Sequence, residues 1–229
     1  MAMVVLGRNS TVGVTVDDII HHTAPVVLGA PQTFVIGDMP FGSYNVSVAQ
    51  AIESANRILM ETNCDAVKLE GGKDMAPAVE SMVKAGISVV GHIGLTPQTS
   101  VSFGGFKVQG GTPESAVALI EDAKALEAAG AIGIVVECVP SVVAKAMTEA
   151  VSIPIMGIGA GPDVDAQVMV TQDLLGMYGD FKPKFVKHFA NIREEMIKGL
   201  NEFHTESLSG AFPTPEFSFN KAIELPRVY

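Results

Sequence analysis

The sequence predicts an α/β protein built from parallel strands, and three observations support this class. Six short apolar segments alternate with patterns typical of amphipathic helices. No run of consecutive hairpins interrupts this alternation, so the strands should be parallel. Polar residues end several strands, at the edge where α/β sheets place their sites. We expect a barrel rather than an open sheet, because no Gly-x-Gly-x-x-Gly motif follows an early strand and the polar strand ends converge on one acidic centre.

The predicted strands are short and mostly apolar. They span residues 33–38, 66–70, 87–92, 131–137, 153–159 and 166–171. Within the second of them, Lys68 and Glu70 lie two positions apart and therefore share one face of the strand. A cation and an anion on one face indicate either a structural ion pair or a catalytic pocket. Residues 1–7 are also apolar and strand-like.

Helix starts follow from capping residues. Thr15 with Asp18 and Ser47 with Gln50 have the spacing of capping boxes. Thr112 precedes a proline, which suits the first position of a helix. Further helices are predicted from residue 74 to 85 and from residue 140 onwards. Helices thus follow most of the predicted strands.

The segment after residue 181 has a different pattern. An apolar stripe at helical spacing predicts a helix packed outside the sheet, and it comprises Phe185, Phe189, Ile192, Met196, Leu200 and Phe203. The tail from residue 210 bears prolines and phenylalanines, which would expose apolar area unless it contacted another subunit. We expect one barrel domain over residues 1–229, with strands and helices in 1–181 and the C-terminal helix and tail in 182–229.

Composition excludes several function classes. The 229 residues include 15 basic and 25 acidic ones, giving a net charge of −10 and no basic cluster for nucleic acid. The two cysteines, Cys64 and Cys138, form neither a disulfide framework nor a zinc motif. No apolar run is long enough to span a bilayer, and the N-terminus does not resemble a secretory signal. We therefore expect a cytoplasmic protein without nucleic-acid or membrane partners.

Two loops attract attention by composition. Residues 94–111 form a long stretch rich in Gly and Ser, and a long loop in a compact domain is usually functional. Residues 157–161 read Gly-Ile-Gly-Ala-Gly, which is compatible with phosphate binding or with a tight turn alone. The sequence leaves this second choice open.

The strand-end residues suggest a metal and a base. Carboxylates such as Asp38 and Glu70 suit Mg²⁺, although they could instead pair with Lys68 and Lys107. Lys68 would offer positive charge to an anionic substrate or a developing enolate. Glu137 follows a run of apolar and glycine residues, and desolvation there should raise its pKa toward the range of a general base. A helix-capping role is the alternative for this carboxylate.

His92 also ends a strand, and either a site role or a backbone hydrogen bond fits it. The other histidines show no metal-ligand spacing and are interpreted as surface or core residues. They are His21, His22, His188 and His204.

Several motifs in one order resemble ketopantoate hydroxymethyltransferase. They are Asp38-Met-Pro-Phe, Val67-Lys-Leu-Glu-Gly-Gly72, Gly91-His-Ile-Gly-Leu-Thr-Pro-Gln98, Gly105-Phe-Lys-Val-Gln-Gly110, Leu126-Glu-Ala-Ala-Gly130, Val136-Glu-Cys-Val-Pro140 and Ile155-Met-Gly-Ile-Gly-Ala-Gly161. Together they cover most of the chain. No single motif would be specific, but the ordered set is.

The resemblance implies a Mg²⁺-dependent (β/α)8 TIM barrel that transfers a one-carbon unit from 5,10-methylenetetrahydrofolate to 3-methyl-2-oxobutanoate. In such an enzyme Asp38 would coordinate Mg²⁺ and Glu70 would belong to the metal shell. Lys68 would contact the oxo acid and Glu137 would be the base. We also expect Asp38 and His92 to contact the substrate. A homo-oligomer is implied, and the family suggests a decamer.

The resemblance also implies a first βα unit and most of a second strand ahead of the point that matches Ala2. In the family that region ends in Gly-Asp-Ser, whose Asp binds Mg²⁺ and whose Ser contacts substrate. This sequence does not contain the segment. We therefore expect six of the eight barrel strands here, with strand 1 and most of strand 2 absent.

Two other functions fit parts of the pattern. Enzymes of the isocitrate lyase and phosphoenolpyruvate mutase group also bind Mg²⁺ and 2-oxo acids on a barrel, but they need a cysteine in a gating loop, and neither Cys64 nor Cys138 lies in one. A non-catalytic oligomeric pseudoenzyme is the third possibility, because the Gly-Asp-Ser segment is lacking.

Deleting the residues after Ser207 tests the expected oligomer contact of the tail. If the exposed apolar tail binds another subunit, the deletion should lower the molar mass measured by light scattering. An unchanged molar mass would contradict the predicted contact.

Overall fold

A computed structural model of the protein describes residues 1–179, 182–224 and 226. The chain divides into two compact units, residues 1–169 and residues 170–229. Each unit is treated by itself below. Across the described ranges, none of the helices combines the length and apolar character needed to cross a membrane.

The first unit contains a six-stranded parallel sheet, as the sequence predicts. The strands are β1 (Ile36–Asp38), β2 (Ala66–Glu70), β3 (Val89–Gly94), β4 (Gly133–Glu137), β5 (Ile155–Ile158) and β6 (Ala166–Gln167). Their spatial order follows their order in the chain. This sequential order lacks the strand-order reversal that marks doubly wound sheets, and it is the order found in α/β barrels.

The sheet is open within the described residues. There β1 pairs only with β2, and β6 pairs only with β5. Closure into a (β/α)8 barrel, and the two further strands that closure would need, therefore stay predictions.

Five helices of the first unit follow the predicted pattern. They are α1 (Val16–Gly29), α2 (Val48–Thr62), α3 (Ala76–Lys84), α4 (Pro113–Ala128) and α5 (Ser141–Ala150). Thr15 and Asp18 form the predicted capping box at the start of α1. At α2 only half of the predicted box forms: the Ser47 hydroxyl accepts the Gln50 N–H, while the Gln50 side chain donates to the Gly42 carbonyl.

The apolar core lies between the helices and the outer face of the sheet. Val67 and Leu69 of β2 are fully buried there, as are Ile58 of α2 and Leu126 of α4. Glycines in the strands let these two helix side chains approach the sheet, because a side chain at Gly91 would collide with Leu126. The apolar side of the sheet and the apolar sides of the helices therefore pack together in one buried layer.

The inner face of the sheet bears the polar residues. Partners in a parallel register point to the same face, and Asp38 pairs with Lys68 while Glu70 pairs with His92. Glu137 lies opposite Gly94 on the next pair of strands. These side chains therefore project away from the helices, into the region that a closed barrel would enclose.

Several predicted boundaries were wrong. Residues 1–7 form turns rather than a strand, since the Val5 N–H bonds to the Met1 carbonyl and the Arg8 N–H to the Ala2 carbonyl. The last strand ends at residue 167, and a short helix, α6 (Thr171–Leu174), takes up the end of the segment predicted as extended.

The second unit contains α6 and α7 (Ile192–Ser209). The predicted helix from residue 182 is wrong in its first turns, because Phe185 and Phe189 precede α7 and the Phe189 N–H bonds to the Leu174 carbonyl instead of to its own turn. Helix α7 buries none of its residues. In the tail, the Phe212 ring contacts the rings of Phe203 and Phe217.

The junction between β3 and β4 requires a glycine. Gly94 has a positive φ of +87°, and the next residue, Leu95, donates its N–H to the Glu137 carbonyl at 2.8 Å. A Cβ at position 94 would collide with that carbonyl oxygen and with Val139. The end of β3 therefore lies directly against the backbone of the strand that bears Glu137.

Substituting Gly94→Ala should lower the free energy of unfolding by about 1–3 kcal/mol more than Gly86→Ala. Gly86 has nearly the same φ, +88°, but an added Cβ there meets no atom within 4 Å. The two variants share the cost of a positive φ, so the difference reports the collision with β4. Urea unfolding followed by circular dichroism measures both, and equal losses would contradict the close approach.

Candidate active site

Lys68 lies at the centre of the polar cluster on the inner face. Its Nζ is 2.6 Å from Asp38 Oδ1, 3.5 Å from Glu70 Oε1 and 3.4 Å from His92 Nδ1. An ammonium group has three N–H donors and no acceptor, and three acceptor atoms surround this one. The structure thus brings residues of β1, β2 and β3 together around one cation.

The ion pair that the sequence allowed for Lys68 exists. Burial alone would lower the pKa of the Lys68 ammonium, but Asp38 and Glu70 together raise it above its ordinary value, so the group stays charged at neutral pH. Lys107, the other candidate partner, forms no ion pair with either carboxylate in the part of the chain that is described.

Glu70 is held by a buried hydrogen-bond network. The Gln98 backbone N–H donates to Glu70 Oε2 at 3.0 Å, and the Tyr44 hydroxyl lies 2.6 Å from Gln98 Oε1. The Gln98 side chain also donates to the Met39 carbonyl. Burial raises the pKa of the Glu70 carboxyl, although the Lys68 charge opposes this shift. One oxygen of Glu70 is therefore fixed by the network, and the other faces Lys68.

Sequence reasoning missed Tyr44 and Gln98. Tyr44 lies in the loop after β1, and Gln98 lies in a short 3₁₀ helix after β3 (Pro97–Phe103), and no periodic pattern marks either side chain as buried. Gln98 does fall within residues 94–111, the long stretch predicted to be functional, so this loop contributes at least the Glu70 contact. Residues 157–161, the glycine loop, show nothing that decides between phosphate binding and a turn.

His92 is buried, with only 4% of its surface exposed, and its two ring nitrogens face different groups. Burial, and then the Lys68 charge, lower the pKa of His92 to about 4, so the ring is neutral at pH 7. Its Nε2 lies 3.2 Å from Glu137 Oε2 but lacks the alignment of a hydrogen bond. Within the described residues this nitrogen has no hydrogen-bond partner.

Glu137 ends β4 and is mostly buried. Burial raises the pKa of its carboxyl to about 7, in the direction that the sequence predicts, and Lys68 only partly opposes this effect. A carboxyl with this pKa can accept and return a proton under ordinary conditions.

The cysteines lie where a gating function is not expected. Cys64 is buried beside β1. Cys138 follows Glu137 with a φ of +50°, and its backbone is fixed by hydrogen bonds to Ile158 and Gln109. Burial raises the pKa of its thiol to about 11, which disfavours the reactive thiolate.

The carboxylates fit a divalent ion only as a pair. Asp38 and Glu70 approach a common point, now held by the Lys68 ammonium. Over the described residues, no group of three or more His, Cys, Asp or Glu could enclose a metal. Mg²⁺ is often held by one or two carboxylates, with water and substrate oxygens completing its shell. The side chain of Asp38 is 54% exposed, which leaves room for such ligands.

Comparison with known proteins decides the family. The sequence profile of ketopantoate hydroxymethyltransferase matches residues 1–215. The chain belongs to this family. It is 56% identical to the 3-methyl-2-oxobutanoate hydroxymethyltransferase of Heliobacterium modesticaldum, over 100% of this chain and 83% of that protein. Identity is 51% with the protein of the same name from Syntrophobacter fumaroxidans, over 97% and 79% of the two chains.

Family membership makes the chain one of a group of enzymes named for hydroxymethyl transfer. The relative from Clostridioides difficile has the same name and is 49% identical over 100% of this chain and 84% of that protein. A solved phosphonopyruvate hydrolase resembles the fold with a TM-score of 0.49 and 10% identity, over 89% of this chain and 73% of that one. This likeness assigns neither fold nor activity.

The raised pKa of Glu137 predicts a pH-dependent cost to stability. Below about pH 4.5 the carboxyl is protonated in both folded and unfolded chains, and above about pH 7 it is ionised in both. Between these values the folded state binds more protons, so its stability falls as pH rises. Glu137→Gln removes this cost and should be more stable than the parent by about 1–3 kcal/mol at pH 8.5 relative to pH 4.5.

Urea unfolding of both proteins at the two pH values measures this difference. Other titrating groups are common to the two chains and largely cancel. A stability difference that does not change with pH would mean that the Glu137 carboxyl titrates normally.

Proposed function

We propose that this chain transfers a hydroxymethyl group to 3-methyl-2-oxobutanoate to form 2-dehydropantoate, with 5,10-methylenetetrahydrofolate as the one-carbon donor and Mg²⁺ as the metal. Family membership supports the acceptor and the reaction, because the relatives are named for them. The donor and the metal rest on the resemblance of the motifs and on the carboxylate pair.

The observation that most supports this chemistry is the environment of Glu137. Its carboxyl has a pKa of about 7 and lies at the same sheet edge as a charged lysine. A general base works best when its pKa is near the operating pH. Abstraction of a proton beside a carbonyl needs such a base together with positive charge for the enolate that forms.

Asp38 and Glu70 would hold Mg²⁺, and the metal would polarise the 2-oxo group and make the hydrogen at C3 more acidic. Both carboxylates already face a positive charge, the Lys68 ammonium, which is consistent with a pair that can bind a cation. Lys68 would remain beside them as a second, fixed positive charge.

The residues of the chain would act in a defined order. Lys68 holds the anionic substrate after releasing its longest protein contact, which is the one to Glu70 Oε1 at 3.5 Å. Glu137 removes the proton from C3 and becomes a neutral carboxylic acid. Water adds to the one-carbon unit of 5,10-methylenetetrahydrofolate and breaks its two bonds to nitrogen, which releases tetrahydrofolate and formaldehyde. The electron pair left on C3 then bonds to the formaldehyde carbon, and the formaldehyde oxygen takes the proton from Glu137 to become the new hydroxyl group.

Exchange of the C3 hydrogen in D₂O tests the base directly. With Mg²⁺ and 3-methyl-2-oxobutanoate, the wild-type chain should exchange this hydrogen without the folate donor, as followed by proton NMR. Glu137→Gln should slow exchange at least about 100-fold, because an amide cannot accept the proton. Glu149→Gln changes an exposed glutamate on α5 and should exchange at the wild-type rate.

Two outcomes distinguish a wrong role for Glu137 from a wrong reaction for the chain. Wild-type exchange in Glu137→Gln would remove Glu137 from the role of base. A wild-type chain that neither exchanges the hydrogen nor gains thermal stability from Mg²⁺ and 3-methyl-2-oxobutanoate would favour the non-catalytic alternative.

A further inference from the structure

The ring of His92 connects the cation to the proposed base. Nδ1 lies 3.4 Å from Lys68 Nζ, and Nε2 lies 3.2 Å from Glu137 Oε2. The ring is almost completely buried, and Nε2 is a buried nitrogen without a hydrogen-bond partner in the described parts of the chain. Such an atom needs a partner, because an unpaired buried polar group is costly.

The neighbours of the ring fix its tautomer. Nδ1 lies 3.4 Å from Lys68 Nζ and 3.7 Å from Glu70 Oε1, so the lysine is the neighbour within hydrogen-bond distance. An ammonium can only donate, so Nδ1 accepts and carries no proton. A neutral imidazole has one proton, which then lies on Nε2. Glu137 Oε2 lies 3.2 Å from Nε2 and can accept this proton when the carboxyl is ionised.

We propose that His92 is a positioning residue for the base, in which Nε2–H holds Oε2 of Glu137 and leaves Oε1 to take the substrate proton. The inference rests on the proposed function, because it concerns the same base. Catalytic hydrogen bonds are often poorly aligned without substrate and tighten in the complex, which accounts for the imperfect geometry at 3.2 Å.

This role differs from the substrate contact that the motifs suggested for His92. Both ring nitrogens face protein groups, and 4% exposure leaves little surface for a substrate. Removing the Nε2 donor should therefore impair proton abstraction and leave substrate affinity almost unchanged. Loss of a substrate contact would do the opposite.

Substitution of His92 by glutamine or by asparagine distinguishes the contributions of its two ring nitrogens. The amide nitrogen of Gln is four bonds from Cα, like Nε2, and that of Asn is three bonds from Cα, like Nδ1. His92→Gln therefore keeps a donor toward Glu137, and His92→Asn lacks it. Both are neutral and polar, so they share the cost of replacing the buried ring. His21→Gln, at an exposed position on α1, is the control for purification and handling.

Exchange of the C3 hydrogen should fall about 100-fold in His92→Asn, the loss typical of a misplaced catalytic group. His92→Gln should stay within about tenfold of wild type, and the concentration of 3-methyl-2-oxobutanoate that gives half-maximal exchange should change less than about threefold in both. Equal rates in the two variants, or a large rise in that concentration with an unchanged maximal rate, would overturn the proposal.

Nitrogen-15 NMR of the chain labelled at histidine tests the tautomer without any change at His92. Replacing the other four histidines with Gln leaves His92 as the one labelled ring and identifies its resonances; they are His21, His22, His188 and His204. A proton on Nε2 is expected, and a proton on Nδ1 would overturn the proposal even if both variants failed to fold. Failure of the proposed function has a different signature, which is a wild-type chain that does not exchange the C3 hydrogen; the inference would then fall with it.

Discussion

The Lys68 ammonium is the interaction on which the site depends. It joins Asp38 and Glu70, which end β1 and β2, to His92, which lies two residues before the end of β3. Without this cation, two carboxylates would face each other, and the buried one, Glu70, would have no compensating charge. Leaving one partner of a buried ion pair alone is far more costly than the net gain from forming the pair. The cluster therefore ties the carboxyl ends of β1, β2 and β3 to one geometry.

The outer face of the sheet makes this inner arrangement possible. Each strand alternates, so Val67 and Leu69 fill the apolar layer under the helices while Lys68 and Glu70 face inward. Burial of the apolar residues stabilises the sheet. The sheet in turn holds the polar residues in place, although these add little to its apolar packing. A strand of five residues thus contributes to both the core and the site.

The sequence predicted the structure correctly where it showed a periodic apolar pattern or a polar residue at the end of a strand. Alternation and parallel topology predicted that Asp38, Glu70 and Glu137 would meet at one edge, and the sheet places them there. Tyr44 and Gln98 could not be found this way, because their burial depends on loop contacts distant in sequence. The predicted start of α7 was also wrong. The apolar stripe allowed a helical turn ahead of Ile192, but the Phe189 N–H bonds to the carbonyl of Leu174 in α6 instead.

The distribution of charge explains why a base with a pKa near 7 can lie so close to a lysine. Asp38 and Glu70 balance the Lys68 ammonium, so little of its charge is left to stabilise an ionised Glu137, and Asp38 itself raises the pKa of that carboxyl. The effect of burial, which raises the pKa of Glu137, is therefore larger than the opposing effect of the Lys68 charge. The neutral ring of His92 lies between the cation and the base, and it can orient the carboxylate without adding a charge that would lower its pKa. The same ion cluster that holds the strand ends together therefore also keeps the base basic.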